Sequence, residues 1–75
     1  MARYQIHLDG VPYSAGELPE TDPFLSRTVG AWGEGKEPLL GVYCSPVNYQ
    51  TRQEAQANID QGGQFFRGAV VVEVQ

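Results

Sequence analysis

The nucleophile and base pair that this sequence offers is Cys44 with His7, two residues far apart in the chain. Covalent catalysis needs a nucleophile activated by a neighbouring base. Cys44 lies in an apolar run, where a thiol usually behaves as a small buried hydrophobe, and His7 lies on the polar side of an alternating segment. We therefore predict no catalytic residue. A small enzyme or ligand-binding subunit that uses Cys44 and His7 is the alternative.

Metal and phosphate binding have little support in the sequence. One cysteine and one histidine cannot complete a four-ligand zinc site, and a single cysteine excludes an internal disulfide. A solvated histidine and a turn-forming aspartate explain the pair His7 and Asp9 more simply than a metal does. The glycine-rich stretch 30–36 lacks the Gly-Lys-Ser/Thr ending of a phosphate-binding loop, and Glu34 and Glu37 flank its lysine. We expect no metal and no cofactor.

An acidic and aromatic segment, residues 17–37, is the strongest candidate for a binding surface. Trp32 lies among three glycines, and tryptophan is enriched at the energetic hot spots of protein interfaces. The alternative is that Trp32 closes the core of a small domain. Carboxylates around it would steer a partner with a basic surface. The candidate partner-binding residues are Trp32, Glu17, Glu20, Asp22, Glu34 and Glu37.

Composition and charge exclude several classes of function. The net charge of −4 repels a nucleic-acid backbone, so direct nucleic-acid binding is not expected. No apolar stretch reaches the roughly 18 residues of a membrane span, and the first residues lack the apolar run of a signal peptide. We therefore expect no membrane association and a cytoplasmic location. At 75 residues, 41% of them apolar, the chain fits one folded domain, residues 1–75.

Three segments carry strand signals. Residues 3–8 alternate between apolar and polar side chains, and Asp9-Gly10 follows as a turn. The apolar run 39–44 predicts a central strand, and the valine-rich segment 68–74 predicts a terminal strand. These last two strands would form a right-handed crossover if they paired in parallel.

The region between residues 12 and 32 gives weaker signals. Pro12 argues against an inner strand, and residues 13–22 lack periodicity and predict a solvated acidic loop. Residues 23–32 have a good helix start but poor helix formers. They predict either a second short helix or an extra strand that pairs with the next apolar run.

The most specific local signal is a capping box at the start of a helix. The Thr51 hydroxyl can accept from the Glu54 amide while the Glu54 carboxylate reaches back to the Thr51 amide. This pattern predicts a helix over residues 52–61 that ends at Gly62-Gly63 and packs through Ala55 and Ile59.

Together these elements predict an α+β domain, with a small three- to four-stranded sheet packed against the helix of residues 52–61. The function we expect is that of a small soluble acidic protein-binding or regulatory module that occludes a partner protein, such as a phage-encoded inhibitor. A homodimer is a further expectation, because a chain this short has a small core and its terminal strand is rich in valine.

Overall fold

A computed structural model describes residues 2–18, 27–36 and 41–75 and shows an antiparallel five-stranded sheet with one α-helix, which is the expected α+β class. The strands are β1 Arg3–Leu8, β2 Val11–Leu18, β3 Arg27–Trp32, β4 Ser45–Pro46 and β5 Val70–Val74. The helix α1 spans Arg52–Gln61, and a 3-10 turn follows at Gly63–Phe66. The strand order is β3-β2-β1-β5, with β4 paired to β2.

Strand β2 corrects the prediction of an acidic loop at residues 13–18, and the remainder of the predicted loop, residues 19–22, lies outside the described residues. Asp9 and Gly10 have φ angles of 52° and 80°, which suit a two-residue hairpin turn, and Leu8 pairs with Val11 beyond them. Pro12 is accommodated within β2, and its carbonyl accepts from the Gly33 amide at 3.0 Å. Pairing with β3 gives the backbone of residues 13–18 its partners, which local composition could not indicate.

Strand β3 decides the open choice at residues 23–32 in favour of the strand over residues 27–32. The helix alternative is wrong there, and residues 23–26 lie outside the described residues. Thr28 and Val29 are β-branched and suit a strand. The partner of β3 is β2, not the next apolar run as expected.

The predicted central strand at residues 39–44 is also wrong where it can be judged. Residues 41–44 form no strand, and residues 39–40 lie outside the described part of the chain. The segment that follows, residues 45–49, instead lies between β1 and β2, which separate beyond their hairpin. Tyr49 and Tyr4 exchange two backbone hydrogen bonds of 2.8 and 3.0 Å, and the Val47 amide donates to the Tyr13 carbonyl at 3.1 Å. No parallel crossover results, because β4 and β5 pair antiparallel with different strands.

The helix begins and ends where the sequence predicts. The Glu54 amide donates to the Thr51 hydroxyl at 3.1 Å, and Gly63 supplies a left-handed φ of 61° at the end. The reciprocal half of the capping box differs from the prediction. The Glu54 carboxylate accepts from the amide of Gln50 at 3.3 Å, not from that of Thr51.

The core lies between α1 and one face of the sheet. Ile6 of β1, Ala55 of α1 and Phe66 of the 3-10 turn are buried at its centre. Ala55 is fully buried and is the side chain of α1 at the centre of this core. Partly buried side chains surround the centre, namely Tyr4, Tyr13, Trp32, Tyr49, Ile59, Ala69 and Val71. Among the described residues no helix is long and apolar enough to cross a membrane.

Candidate functional site

Three of the six predicted partner-binding residues lie in the described residues. Trp32 ends β3, Glu34 follows it in a turn, and Glu17 lies near the end of β2. Both carboxylates are exposed, whereas Trp32 is half-buried. The other three, Glu20, Asp22 and Glu37, lie outside the described residues.

Trp32 belongs to a cluster of four aromatic rings. The β2–β3 register sets it directly opposite Tyr13, and the two rings meet edge-on at 5.7 Å. The 3-10 turn adds the other two rings. Phe65 stacks on Trp32 at 5.4 Å with an interplanar angle of 23°, and Phe66 meets Tyr13 at 4.8 Å. We call Tyr13, Trp32, Phe65 and Phe66 the aromatic patch.

The two phenylalanines of the aromatic patch have different environments. Phe66 is 7% exposed and joins Ile6 and Ala55 in the core, whereas Phe65 is 45% exposed. Trp32 therefore packs against the core and also supports an exposed ring. Sequence reasoning missed Phe65 and Phe66. The available signal was a Phe-Phe pair, separated by Gln64 from the Gly-Gly that ends a predicted helix.

Gly30 makes room for Tyr13 within the aromatic patch. A Cβ atom at Gly30 would lie 2.7 Å from Cε1 and 2.8 Å from the hydroxyl oxygen of Tyr13, closer than van der Waals contact allows. The Tyr13 ring thus lies against the backbone of β3 at Gly30. Gly30, two residues before Trp32, therefore has a packing role.

Burial makes the tyrosines poor acids. Desolvation raises the pKa of Tyr13 above its ordinary value of 10.0, and the charge of a Cys44 thiolate would raise it further. Desolvation also raises the pKa of Tyr49. Both phenols are neutral near pH 7. They contribute uncharged aromatic area to this region.

Glu17 and Glu34 frame the aromatic patch at different distances. Glu34 is two residues beyond Trp32 in the turn. Glu17 lies four residues along β2 from Tyr13, which is roughly 13 Å in an extended strand. Since the Debye length is about 8 Å at physiological salt, the charge of Glu17 is largely screened at the aromatic patch, and Glu34 is the nearer carboxylate.

Cys44 and His7 have separate environments. Cys44 is 2% exposed, as expected of a buried hydrophobe, and its Sγ lies 3.9 Å from the Val29 carbonyl oxygen and 3.8 Å from that of Val42. The His7 ring lies in β1, where its Nε2 is 3.0 Å from Oε1 of Gln5. No hydrogen bond joins the two side chains among the residues described.

Two further kinds of site are a metal-binding cluster and a cleft. In the described ranges no group of three or more histidine, cysteine, aspartate or glutamate side chains could hold a metal ion. An open cleft of about 490 Å³ lies where the start of β1 meets the segment before the helix, and it is lined by Ala2, Arg3, Asn48, Tyr49 and Gln50. These lining residues bring together no nucleophile and base pair.

Comparison with known proteins gives no relative. No protein-family model, no curated protein and no solved structure matches the chain. The function is therefore inferred from the geometry of the chain itself.

Proposed function

We propose that this chain is a protein-binding module that acts by occluding a partner, and that the aromatic patch is its contact surface. The observation that carries the proposal is the stack of Trp32 on Phe65. Phe65 remains 45% exposed although its ring contacts the rings of Tyr13, Trp32 and Phe66. An exposed ring that is already packed on one side offers contact area with less loss of side-chain entropy on binding.

The charge of the chain supports a partner with a basic surface. The net charge is −4, and two exposed carboxylates lie on this side of the described chain, Glu34 two residues beyond Trp32 and Glu17 farther along β2. Such charges mainly raise the association rate, whereas a desolvated aromatic anchor mainly lowers the dissociation rate. The proposal includes a cytoplasmic location, no direct contact with nucleic acid, and, in its most specific form, a phage-encoded inhibitor.

Quantitative affinity capture from a lysate of the source organism tests the proposal. The bait is the tagged wild-type chain, compared with Phe65→Ser and with Tyr43→Ser as a matched control. Tyr43 is 71% exposed and belongs to none of the contacts of the patch, so its replacement removes an exposed aromatic ring elsewhere. We expect one protein that the wild type and Tyr43→Ser retain and that Phe65→Ser loses.

Binding kinetics with the captured protein then separate the contribution of the aromatic ring from that of the carboxylates. Phe65→Ser should weaken the Kd by about 30-fold, as expected for a hot-spot residue of about 2 kcal/mol. Glu17→Gln with Glu34→Gln should slow association and flatten its salt dependence while the dissociation rate stays nearly constant. Equal capture by all three baits, with circular dichroism showing each folded, would contradict the aromatic patch as the contact surface.

A further inference from the structure

Among the described residues, strand β5 forms an open edge of the sheet. Within the described part of the chain its only strand neighbour is β1, with Val72 opposite Gln5. Natural edge strands are usually protected by lysine, proline or a bulge. β5 has no lysine, proline or bulge in its five residues Val70–Val74, and its one charged side chain is that of Glu73.

The backbone groups that face this edge follow from the hydrogen bonds of β1. In an antiparallel ladder the N–H and C=O of one residue point to the same side, and the side alternates along the strand. Tyr4 directs both groups to Tyr49, away from β5. Its partner in β5, Glu73, is therefore not hydrogen-bonded to β1, and neither is Val71 two residues earlier. The N–H and C=O groups of Val71 and Glu73 point to the open edge.

We propose that a second copy of this chain pairs with this edge, β5 against β5 in antiparallel orientation, about a two-fold axis at Val72. Val71 of each copy then exchanges both backbone hydrogen bonds with Glu73 of the other. Val72 faces Val72, and Val70 faces Val74. The two sheets become one continuous sheet. This proposal is independent of the proposed function, which concerns the aromatic patch.

The side chains fit a copy of the same strand in this register. Val70, Val72 and Val74 share the face away from α1, and Val70 is 57% exposed. Pairing about Val72 joins the three valines of each copy into one apolar strip. On the other face Glu73 lies opposite Val71. Pairing about Glu73 would set two carboxylates directly opposite each other, which is destabilising, and pairing about Val71 would leave Val74 without a partner.

The helices are placed to add to the interface. α1 contacts both β1 and β5, so it lies over this pair of strands. With strands about 4.8 Å apart, the two α1 helices of a pair would lie about 10 Å apart on the same side of the sheet, which is the usual packing distance. Two five-residue strands alone bury less than the ~800 Å² per partner of a typical stable interface. We therefore expect a weak dimer whose population rises with concentration.

Sedimentation equilibrium from about 1 to 500 µM tests the pairing. We expect the mass to rise with concentration from 8.2 kDa towards twice that value. Glu73→Pro removes one N–H that faces the open edge and spares the ladder to β1, so it should remain monomeric. Glu73→Thr is the matched control. It loses the same carboxylate, keeps the N–H, and should still dimerise.

Cysteine cross-linking tests the register. Val72→Cys should form a disulfide-linked dimer under mild oxidation, because residues facing each other across the axis have Cβ atoms roughly 4.5–5.5 Å apart. Val74→Cys lies about 13 Å from its own counterpart in this arrangement and should cross-link poorly. A wild type that stays at 8.2 kDa at all concentrations would overturn the proposal, and a strand of another protein would then be the remaining partner for this edge. A dimer that persists in folded Glu73→Pro, or that cross-links better at position 74, would also overturn it.

Discussion

The close approach of Phe66 to Gly62 makes Gly62→Ala the sharpest test of how the aromatic patch is held. A Cβ atom built at Gly62 would overlap the Cδ2 and Cε2 atoms of the Phe66 ring. The backbone itself would tolerate alanine, because Gly62 has φ −83° and ψ −3°. Any destabilisation by this substitution therefore comes from the contact with the ring.

The magnitude follows from how little the Phe66 ring can move. It is 7% exposed and touches the rings of Tyr13, Trp32 and Phe65 at centroid distances of 4.8, 5.7 and 5.1 Å. Overpacking a core site costs about 1–3 kcal/mol. Replacing glycine by alanine in a permitted conformation stabilises the protein by about 0.4–1 kcal/mol, because it lowers the conformational entropy of the unfolded chain. We expect a net loss of about 1–2 kcal/mol in the free energy of unfolding.

Urea unfolding and near-ultraviolet circular dichroism measure this effect. Gly63→Ala is the control, since a Cβ atom there meets nothing within 4 Å while the φ of 61° is strained. The control should lose about 1 kcal/mol and keep the native aromatic spectrum, because its cost lies in the backbone alone. Gly62→Ala should change the spectrum. In a Phe66→Leu background, Gly62→Ala should cause a smaller loss in the free energy of unfolding. A Gly62→Ala variant as stable as the wild type, with an unchanged spectrum, would refute this packing.

Three further outcomes are expected. Thr51→Ala should lower the free energy of unfolding by about 1 kcal/mol because it removes the capping hydroxyl. The Tm should fall by roughly 4–8 °C, and an unchanged Tm would contradict the cap. Because the folded-state pKa values of Tyr13 and Tyr49 are raised above 10.0, the stability linked to them is complete below pH 10 and is lost as pH rises through the folded values. Denaturant unfolding at stepwise higher pH should show this loss in the free energy of unfolding. Tyr13→Phe should make the free energy of unfolding fall less steeply with pH. An equally steep fall in Tyr13→Phe would mean that other groups cause the loss. Cys44, which is 2% exposed, should react with a thiol reagent more than about tenfold more slowly in the native protein than in denaturant, whereas equal rates would show an accessible thiol.

The elements with strong local signals could be predicted from the sequence. The alternation of residues 3–8 specifies β1, and the Thr51 hydroxyl with Gly62-Gly63 specifies both ends of α1. Burial of Cys44 also follows from its apolar neighbours. In each case the determining interactions lie within a few residues of one another in the chain.

The elements that depend on distant pairing could not be predicted in this way. Residues 13–18 look like a loop because Ser14, Gly16 and Glu17 are poor strand formers, yet β3 on one side provides their backbone partners. The apolar run at residues 39–44 suggested a central strand, whereas it is the following segment, at Val47 and Tyr49, that inserts between β1 and β2. Long-range hydrogen bonds outweigh local propensity in both places.

The candidate site shows the same division. Trp32 was identified from its residue type and its glycine neighbours, which are local features. Phe65 is 33 residues away in the sequence and reaches Trp32 only because the chain closes through α1 and the 3-10 turn. Glu17 and Glu34 could be identified as exposed, but the distance of Glu17 from Trp32 depends on the β2–β3 register.

Site-specific photo-crosslinking in cells of the source organism tests the central proposal most directly. A photoreactive phenylalanine analogue at position 65 reports what touches the exposed face of the aromatic patch, and the same analogue at position 43 serves as the reference. We predict one dominant adduct at position 65, formed with a protein that has a basic surface, and no such adduct at position 43. The same adducts at both positions, or none at position 65 while the protein is folded, would contradict the aromatic patch as a binding surface.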